Sequence, residues 1–234
     1  MPLDVLKNAQ IWHYAGLVIL TDPPGTTRPD AVFPLCQENI IFVNSLQDTM
    51  KGSAVLDLCS GSGVLALFAA RKGAHVLAVD ANPRAVSFMR ANVALNGMED
   101  RVKVHQGDLF GGLEGQQFQW ILANPPFEPT GPAAATLHSD GGPGGVTITR
   151  RILQQASAYL VQGGTLQMTT YLPGDYRSWA ELGHFQIRQV SEIGTVPPRP
   201  GVDTRPGVDK CRHGERLTVS LISLELSHGG VHHA

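Results

Sequence analysis

Residues 56–67 read LDLCSGSGVLAL. The apolar run that begins at Ala54 has the length of a buried strand, and SGSG breaks it with a turn. From Val64 the segment VLALFAARKG reads as a helix, and Gly73 supplies its stop. A strand that passes through a glycine turn straight into a helix is a unit of a parallel α/β sheet. Gly61 and Gly63 let such a turn approach a ligand closely, and the helix behind them offers free N–H groups. The same glycines also suit tight strand–helix packing alone, so the turn by itself admits both readings.

The rhythm repeats downstream. HVLAVD is a second strand, and PRAVSFMRANVALNG a second helix with Pro83 in its first turn and Gly97 past its end. VKVHQGD and FQWILAN are the third and fourth strands. VTITRRILQQASAYLVQGG reads as a helix with a glycine stop, TLQMTTYL as a strand, and LTVSLISLEL as a closing strand. Strands alternating with helices predict a mostly parallel sheet covered on both faces. Two regions break the pattern. Residues 1–50, with the turn TDPPGTTRPD between apolar segments, read as a small N-terminal cap with a hairpin, leaving 51–234 as the main domain. Residues 196–216 carry RPGVD twice, at 199–203 and 205–209, in a Pro/Gly-rich loop that reads equally as a lid or a connector.

Bulk properties narrow the function. A formal net charge of −2 over 234 residues does not mark a polyanion binder. Cys36, Cys59 and Cys211 are odd in number, far apart and without metal-ligand spacing, which points to a reducing compartment. Asp4 and Lys7 interrupt the N-terminus, and the apolar stretch near residues 15–20 is too short to span a bilayer. These features predict a soluble, cytoplasmic protein with no membrane partner. His228, His232 and His233 read as a frayed tail rather than a metal site.

Acids mark the ends of the first three strands. Asp57 can face a ligand's ammonium group. Asp80, followed by Ala81, can accept both hydroxyls of a ribose, and Asp108 can accept from an exocyclic adenine amine with Leu109 beside the ring. Each alone could be a helix cap. Together with the glycine turn they trace a nucleoside site along the crevice where open α/β sheets bind ligands. The fourth strand then stops abruptly in ILANPPFEPTG, residues 121–131. There an amide, two prolines and an aromatic, Asn124, Pro125, Pro126 and Phe127, form a stiff corner.

DLCSGSG, AVDANP, QGDLF and NPPF, in this order over roughly residues 54–167, resemble the class I S-adenosylmethionine-dependent methyltransferases. They resemble the branch with an Asn-Pro-Pro-Tyr/Phe motif after the fourth strand. That branch contains release-factor-type protein glutamine methyltransferases, RNA guanine and adenine amino-methyltransferases and DNA adenine methyltransferases. The resemblance implies a Rossmann-like, mostly parallel seven-stranded sheet and S-adenosyl-L-methionine as cofactor. It implies cofactor contacts from Asp57, Cys59, Gly61, Gly63, Asp80, Ala81, Asp108, Leu109 and Asn124, and no metal. The segment HSDGGPGGV, residues 138–146, resembles the Asp-Gly-Gly stretch that follows this motif in glutamine methyltransferases and small-domain relatives. Three departures stand out. Cys59 replaces the first glycine of the cofactor turn, and Phe127 replaces tyrosine. The fifty residues before the first strand leave no room for the large helical recruiting domain of release-factor enzymes.

The corner suggests its own chemistry. Asn124 and the Pro125 carbonyl would each accept from a planar NH₂ group and turn its lone pair toward a methyl donor, while Phe127 stacks on the acceptor's face. His138 and Asp140 read as a general base or, more simply, as loop residues. Glu38 is expected near the cofactor's amino-acid end. The expected activity is N-methylation of a planar nitrogen. A protein or peptide amide comes first, a small metabolite second, and a nucleic-acid amino group third.

Overall fold

The computed structural model describes residues 7–129, 136–171, 184–196 and 217–226. A hairpin, β1 (Gln10–Tyr14) and β2 (Leu17–Thr21), comes first, and α1 (Gln37–Ser45) follows. Then come β3 (Ala54–Leu58), α2 (Val64–Arg71), β4 (His75–Asp80), α3 (Pro83–Leu95), β5 (Val102–Gln106) and β6 (Phe118–Ala123). The chain continues through α4 (Thr147–Tyr159), β7 (Leu160–Tyr171), β8 (Phe185–Val196) and β9 (Leu217–Leu226). Seven strands form one sheet in the order β5-β4-β3-β6-β7-β9-β8. The pairs from β5 through β7 are parallel, and β9 runs antiparallel to both its neighbours. The expected Rossmann-like, mostly parallel sheet is therefore present.

Period-two alternation splits the core into two layers. Val55 of β3 and Trp120 and Leu122 of β6 face a cluster with α1, α2 and α3. Leu56, Leu58, Ile121 and Ala123 face the opposite cluster, which holds Ile152, Leu153 and Ala156 of α4. Helix α3 starts where the sequence places it: the Asn82 side chain accepts from the Arg84 N–H at 2.9 Å, with Pro83 at the first helical position.

The hairpin turns through Ala15 and Gly16, both at positive φ (48° and 80°), as a two-residue hairpin turn requires. Two asparagines, Asn92 of α3 and Asn96 at its C-terminal cap, four residues apart and so on one face, then act as a neighbouring strand for β2. Asn92 Oδ1 accepts from the Leu20 N–H and Asn96 Oδ1 from the Val18 N–H, while their amides donate to the carbonyls of the same two residues. Asp22, just past β2, forms a buried bidentate pair with Arg84 and also accepts from the Val32 N–H. Burial pushes the Asp22 carboxyl up, but these donors outweigh it and hold it below the ordinary range.

The elements depart from the sequence reading in three places. Helix α4 stops at Tyr159, and Leu160 already pairs with Phe118, whereas the expected helix ran on through VQGG. Trp120 pairs with Thr165, so residues 161–164 bulge out of the ladder, and glycines permit the tight bend. Strand β8 had no counterpart in the sequence reading, because its apolar residues Phe185, Ile187, Val190 and Ile193 are thrown off period two by register shifts between Ile187 and Gln189 and between Glu192 and Gly194. Helix α1 formed inside the predicted cap. The repeated RPGVD loop, Cys211 and the histidine tail lie outside the described residues. Among the described residues no helix is long and apolar enough to cross a membrane.

Candidate active site

The sheet order reverses between β3 and β6, which are paired in parallel with Leu58 opposite Ala123. Helical connections leave this point on opposite faces and open a crevice at the carboxyl edge. Register alone therefore brings Cys59 and Asn124, sixty-five positions apart in the chain, out of adjacent strands side by side. Asp80 and Gln106 are opposite each other at the same edge of β4 and β5.

A cavity of about 340 Å³ occupies the crevice, within the size range of small-molecule sites. Of the residues expected at the site, Cys59, Gly61, Asp80, Ala81, Asp108, Leu109, Asn124, Pro125, Pro126 and Phe127 line it. So do Glu38, His138 and Asp140. Asp57 and Gly63 are not among the lining residues. Asp57 is wholly buried and accepts from the Ala66 N–H of α2 at 3.0 Å, while its other oxygen has no hydrogen-bond partner. Burial drives its carboxyl up to about 8, only partly offset by the Ala66 N–H. Gly63 packs against α3, where a Cβ would stand 2.9 Å from Met89 Cγ.

The glycine turn is stitched by short-range bonds. The Gly61 N–H donates to Asp80 Oδ2 at 2.8 Å, and the Asn82 N–H donates to Oδ1 at 2.8 Å. Each Asp80 oxygen keeps a lone pair directed elsewhere. Burial raises the Asp80 carboxyl, and the two N–H groups pull it back. Gly61 has φ +57°, and nothing lies within 4 Å of where its Cβ would be, so the space beside this backbone is free. Cys59 and Leu109 adopt positive φ as well (54° and 52°). For non-glycine residues this strain costs roughly 1–3 kcal/mol each and gathers at functional sites. The Asp108 carboxylate is half exposed and pairs with Arg151 at 2.8 Å.

The Asn-Pro-Pro-Phe corner is held from behind by the glycine segment that follows it. The Glu128 N–H donates to the Ser139 carbonyl and the Gly141 N–H to the Glu128 carbonyl, both at 3.0 Å. Gly145 (φ +72°) abuts the corner so closely that a Cβ would lie 2.2 Å from the Phe127 carbonyl oxygen. The Asp-Gly-Gly stretch thus cradles residues 127–129. Asp140 Oδ1 accepts from the Gly142 N–H of its own loop at 2.9 Å, and His138 bonds Thr136 Oγ1 at 3.0 Å. Both contacts favour the loop reading of these two residues over the base reading.

Several contributors escaped the sequence reading. Thr169 of β7 hydrogen-bonds Asn124 Oδ1. Phe33 stacks at a tilt on His138, ring centroids 5.1 Å apart, and the Leu137 N–H donates to the Pro29 carbonyl at 2.8 Å. These contacts join the N-terminal segment to the loop after the corner above the cavity. Glu38, which was expected near the cofactor, comes from α1 and is driven up to about 7, first by burial and then by the Glu128 carboxylate, whereas the contacts of Thr169, Phe33 and Leu137 were unforeseen. No local pattern announces such contacts.

This strand order, with a glycine turn and an Asn-Pro-Pro-Phe corner meeting at its reversal point, defines a class: the Rossmann-like methyltransferases. The chain belongs to the methyltransferase small domain family, whose model matches residues 38–191. A release factor glutamine methyltransferase of Geobacter sulfurreducens is 32% identical over 214 residues, covering 86% of this chain and 71% of the relative. A ribosomal protein uL3 glutamine methyltransferase of Bradyrhizobium diazoefficiens is 39% identical over 123 residues, 48% of this chain and 39% of the relative. The chain spans between 39% and 61% of the length of the first relatives it matches. Among solved structures, the Thermus thermophilus 16S rRNA N2 G1207 methyltransferase in complex with AdoMet and guanosine shares the fold. Its TM-score is 0.59 at 19% identity, covering 94% of this chain and 50% of that one.

Proposed function

We propose that this chain is an S-adenosyl-L-methionine-dependent N-methyltransferase acting on a planar nitrogen, a glutamine-type side-chain amide of a protein or peptide. The observation that carries this reading is the register that sets Asn124 beside the glycine turn in one cavity. The cavity suits the cofactor. Asp80 has lone pairs left for ribose hydroxyls, and the free space at Gly61 lets a ligand lie against the backbone. Cys59, Ala81, Leu109 and Asn124 complete the wall. Asp108 reaches the adenine amine with the oxygen capacity that Arg151 leaves. Asp57 and Gly63 act from behind the wall, by shaping the turn.

When bound, the cofactor supplies an electrophilic methyl carbon on a sulfonium. Asn124 Oδ1 and the Pro125 carbonyl accept from the two N–H bonds of the acceptor, which turns its delocalised lone pair out of conjugation and toward that carbon. The same oxygens stabilise positive charge as it moves to nitrogen, and the prolines keep reorganisation small. Phe127 stacks on the acceptor plane. Glu38 lines this cavity and titrates near neutral pH, so it can take the proton that the nitrogen sheds.

The glutamine methyltransferase relatives support a protein amide. So does the charge of the wall: its described residues include Glu38, Asp80, Asp108, Glu128 and Asp140 but no Lys or Arg, an unfavourable surface for phosphates. Residues 1–50 serve as a cap on the domain 51–234, supported by their separate two-stranded sheet, and the protein works in the cytoplasm. The test is transfer of labelled methyl from S-adenosyl-L-methionine into cell extract, followed by protease, nuclease or size filtration. Label should be lost to protease. Loss to nuclease would select a nucleic-acid acceptor, and passage through the filter a small metabolite.

A further inference from the structure

Thr169 lies on β7 directly after Met168, whose register partner is Ala123, the last residue of β6. It therefore stands level with Asn124. It is wholly buried, and its hydroxyl donates to Asn124 Oδ1. On the far side, its backbone is opposite Leu221 of β9, so the strand carrying it is paired on both edges. The next residue, Thr170, is also wholly buried and bonds Thr149 Oγ1 of α4 at 2.8 Å. Two consecutive hydroxyls on a central strand thus serve opposite faces. Thr170 fastens the helix, and Thr169 reaches the corner.

A primary amide side chain has two unlike ends of nearly equal size, an oxygen that accepts and an NH₂ that donates. The proposed chemistry works in one orientation only. With the NH₂ turned toward the acceptor, two donors would face each other and no oxygen would meet the developing charge. The prolines fix the backbone of the corner but not the torsion of the Asn124 amide. We propose that Thr169 is the positioning residue of Asn124, an inference that rests on the function proposed above. Its hydroxyl occupies one lone pair of Oδ1, anchors that end of the amide, and leaves the second lone pair for the acceptor N–H. Valine has nearly the shape of threonine but no hydroxyl to give.

The test measures single-turnover methyl transfer from labelled S-adenosyl-L-methionine into the protein fraction of cell extract, with S-adenosylhomocysteine affinity measured by calorimetry. Thr169→Val should lower the maximal rate on the order of 100-fold, the scale for a misplaced reacting group, while leaving apparent KM and S-adenosylhomocysteine affinity within about threefold. Thr169→Ser should restore the rate to within about threefold of the parent. Placed on Asn124→Ala, Thr169→Val should cost nothing further, because the effect passes through a side chain already removed. If Thr169→Val disturbs folding, seen as a lowered melting temperature, Thr169→Ser and the double variant still decide. A serine variant as slow as the valine variant, or additive losses in the double variant, would overturn the proposal. Full transfer by Asn124→Ala alone would overturn the proposed function itself, and full transfer by Thr169→Val alone would overturn only the role of Thr169.

Discussion

The two halves of the cavity are built in different ways. On the β3–β4 side the wall comes from two short segments, residues 59–62 with 64 and 65, and residues 79–82, and is fastened by backbone N–H groups donating to Asp80. On the β6–β7 side the wall is assembled from α1, the segment near residue 33, the Asn-Pro-Pro-Phe corner and the loop through Asp140, with Thr169 behind it. The first half depends on local backbone geometry, which few residue types can satisfy. The second depends on side chains that meet only because the sheet brings their elements together. A cofactor common to many enzymes suits the first construction. An acceptor that differs among relatives suits the second, because its parts can change without disturbing the glycine turn.

The two halves should therefore respond separately to substitution. The largest effect is expected on the acceptor side. Asn124→Ala should reduce methyl transfer by about 10²- to 10³-fold, the scale for removing one preorganised charge-stabilising group, with S-adenosylhomocysteine affinity by calorimetry falling far less. Equal losses in both measurements would break the division. Phe127→Tyr keeps the ring and should be tolerated.

Gly145→Ala comes next. Left-handed backbone alone costs about 1–3 kcal/mol for alanine, and its Cβ would press on the Phe127 carbonyl. Thermal melting should drop and transfer should fall, whereas cofactor affinity at a permissive temperature should hold. Full activity in this variant would show that the corner does not need its glycine cradle.

Asp80→Ala probes the other half. It should weaken S-adenosylhomocysteine binding by about 1–3 kcal/mol, the range for hydrogen bonds to a charged group. Transfer at saturating cofactor should change much less.

The smallest effect is a pH dependence carried by Glu38. Its carboxyl titrates at about 7 in the folded protein, against about 4.3 in an unfolded chain. Between these values the folded state binds more protons, so this group lowers stability as pH rises, with the full cost present above 7. Glu38→Gln should raise the melting temperature at pH about 8 by a few degrees and leave it unchanged at pH about 3, where both states are protonated. A gain of equal size at both pH values would assign the effect to packing.

The sequence by itself determined the alternating elements, the glycine turn and the corner at the end of β6. Each is written in consecutive residues: an apolar run with period two, a stop at Gly73 or Gly97, a proline pair that cannot continue a ladder. Asp80 and Asn124 were legible because strand ends face the crevice in any parallel sheet. Tertiary structure decided the rest. Asp57 has the same local signature as Asp80, yet it lies one residue inside β3 and points back to Ala66 instead of lining the cavity. Helix α1 carries Glu38 to the wall, and Thr169 meets Asn124 only because Met168 pairs with Ala123. Strand register and helix packing set these meetings, and both are sums of many weak contacts between residues far apart in the chain. No short window of sequence holds those sums, so what stands behind and around the corner, Thr169 and the segment near residue 33, could be read only once the sheet was assembled.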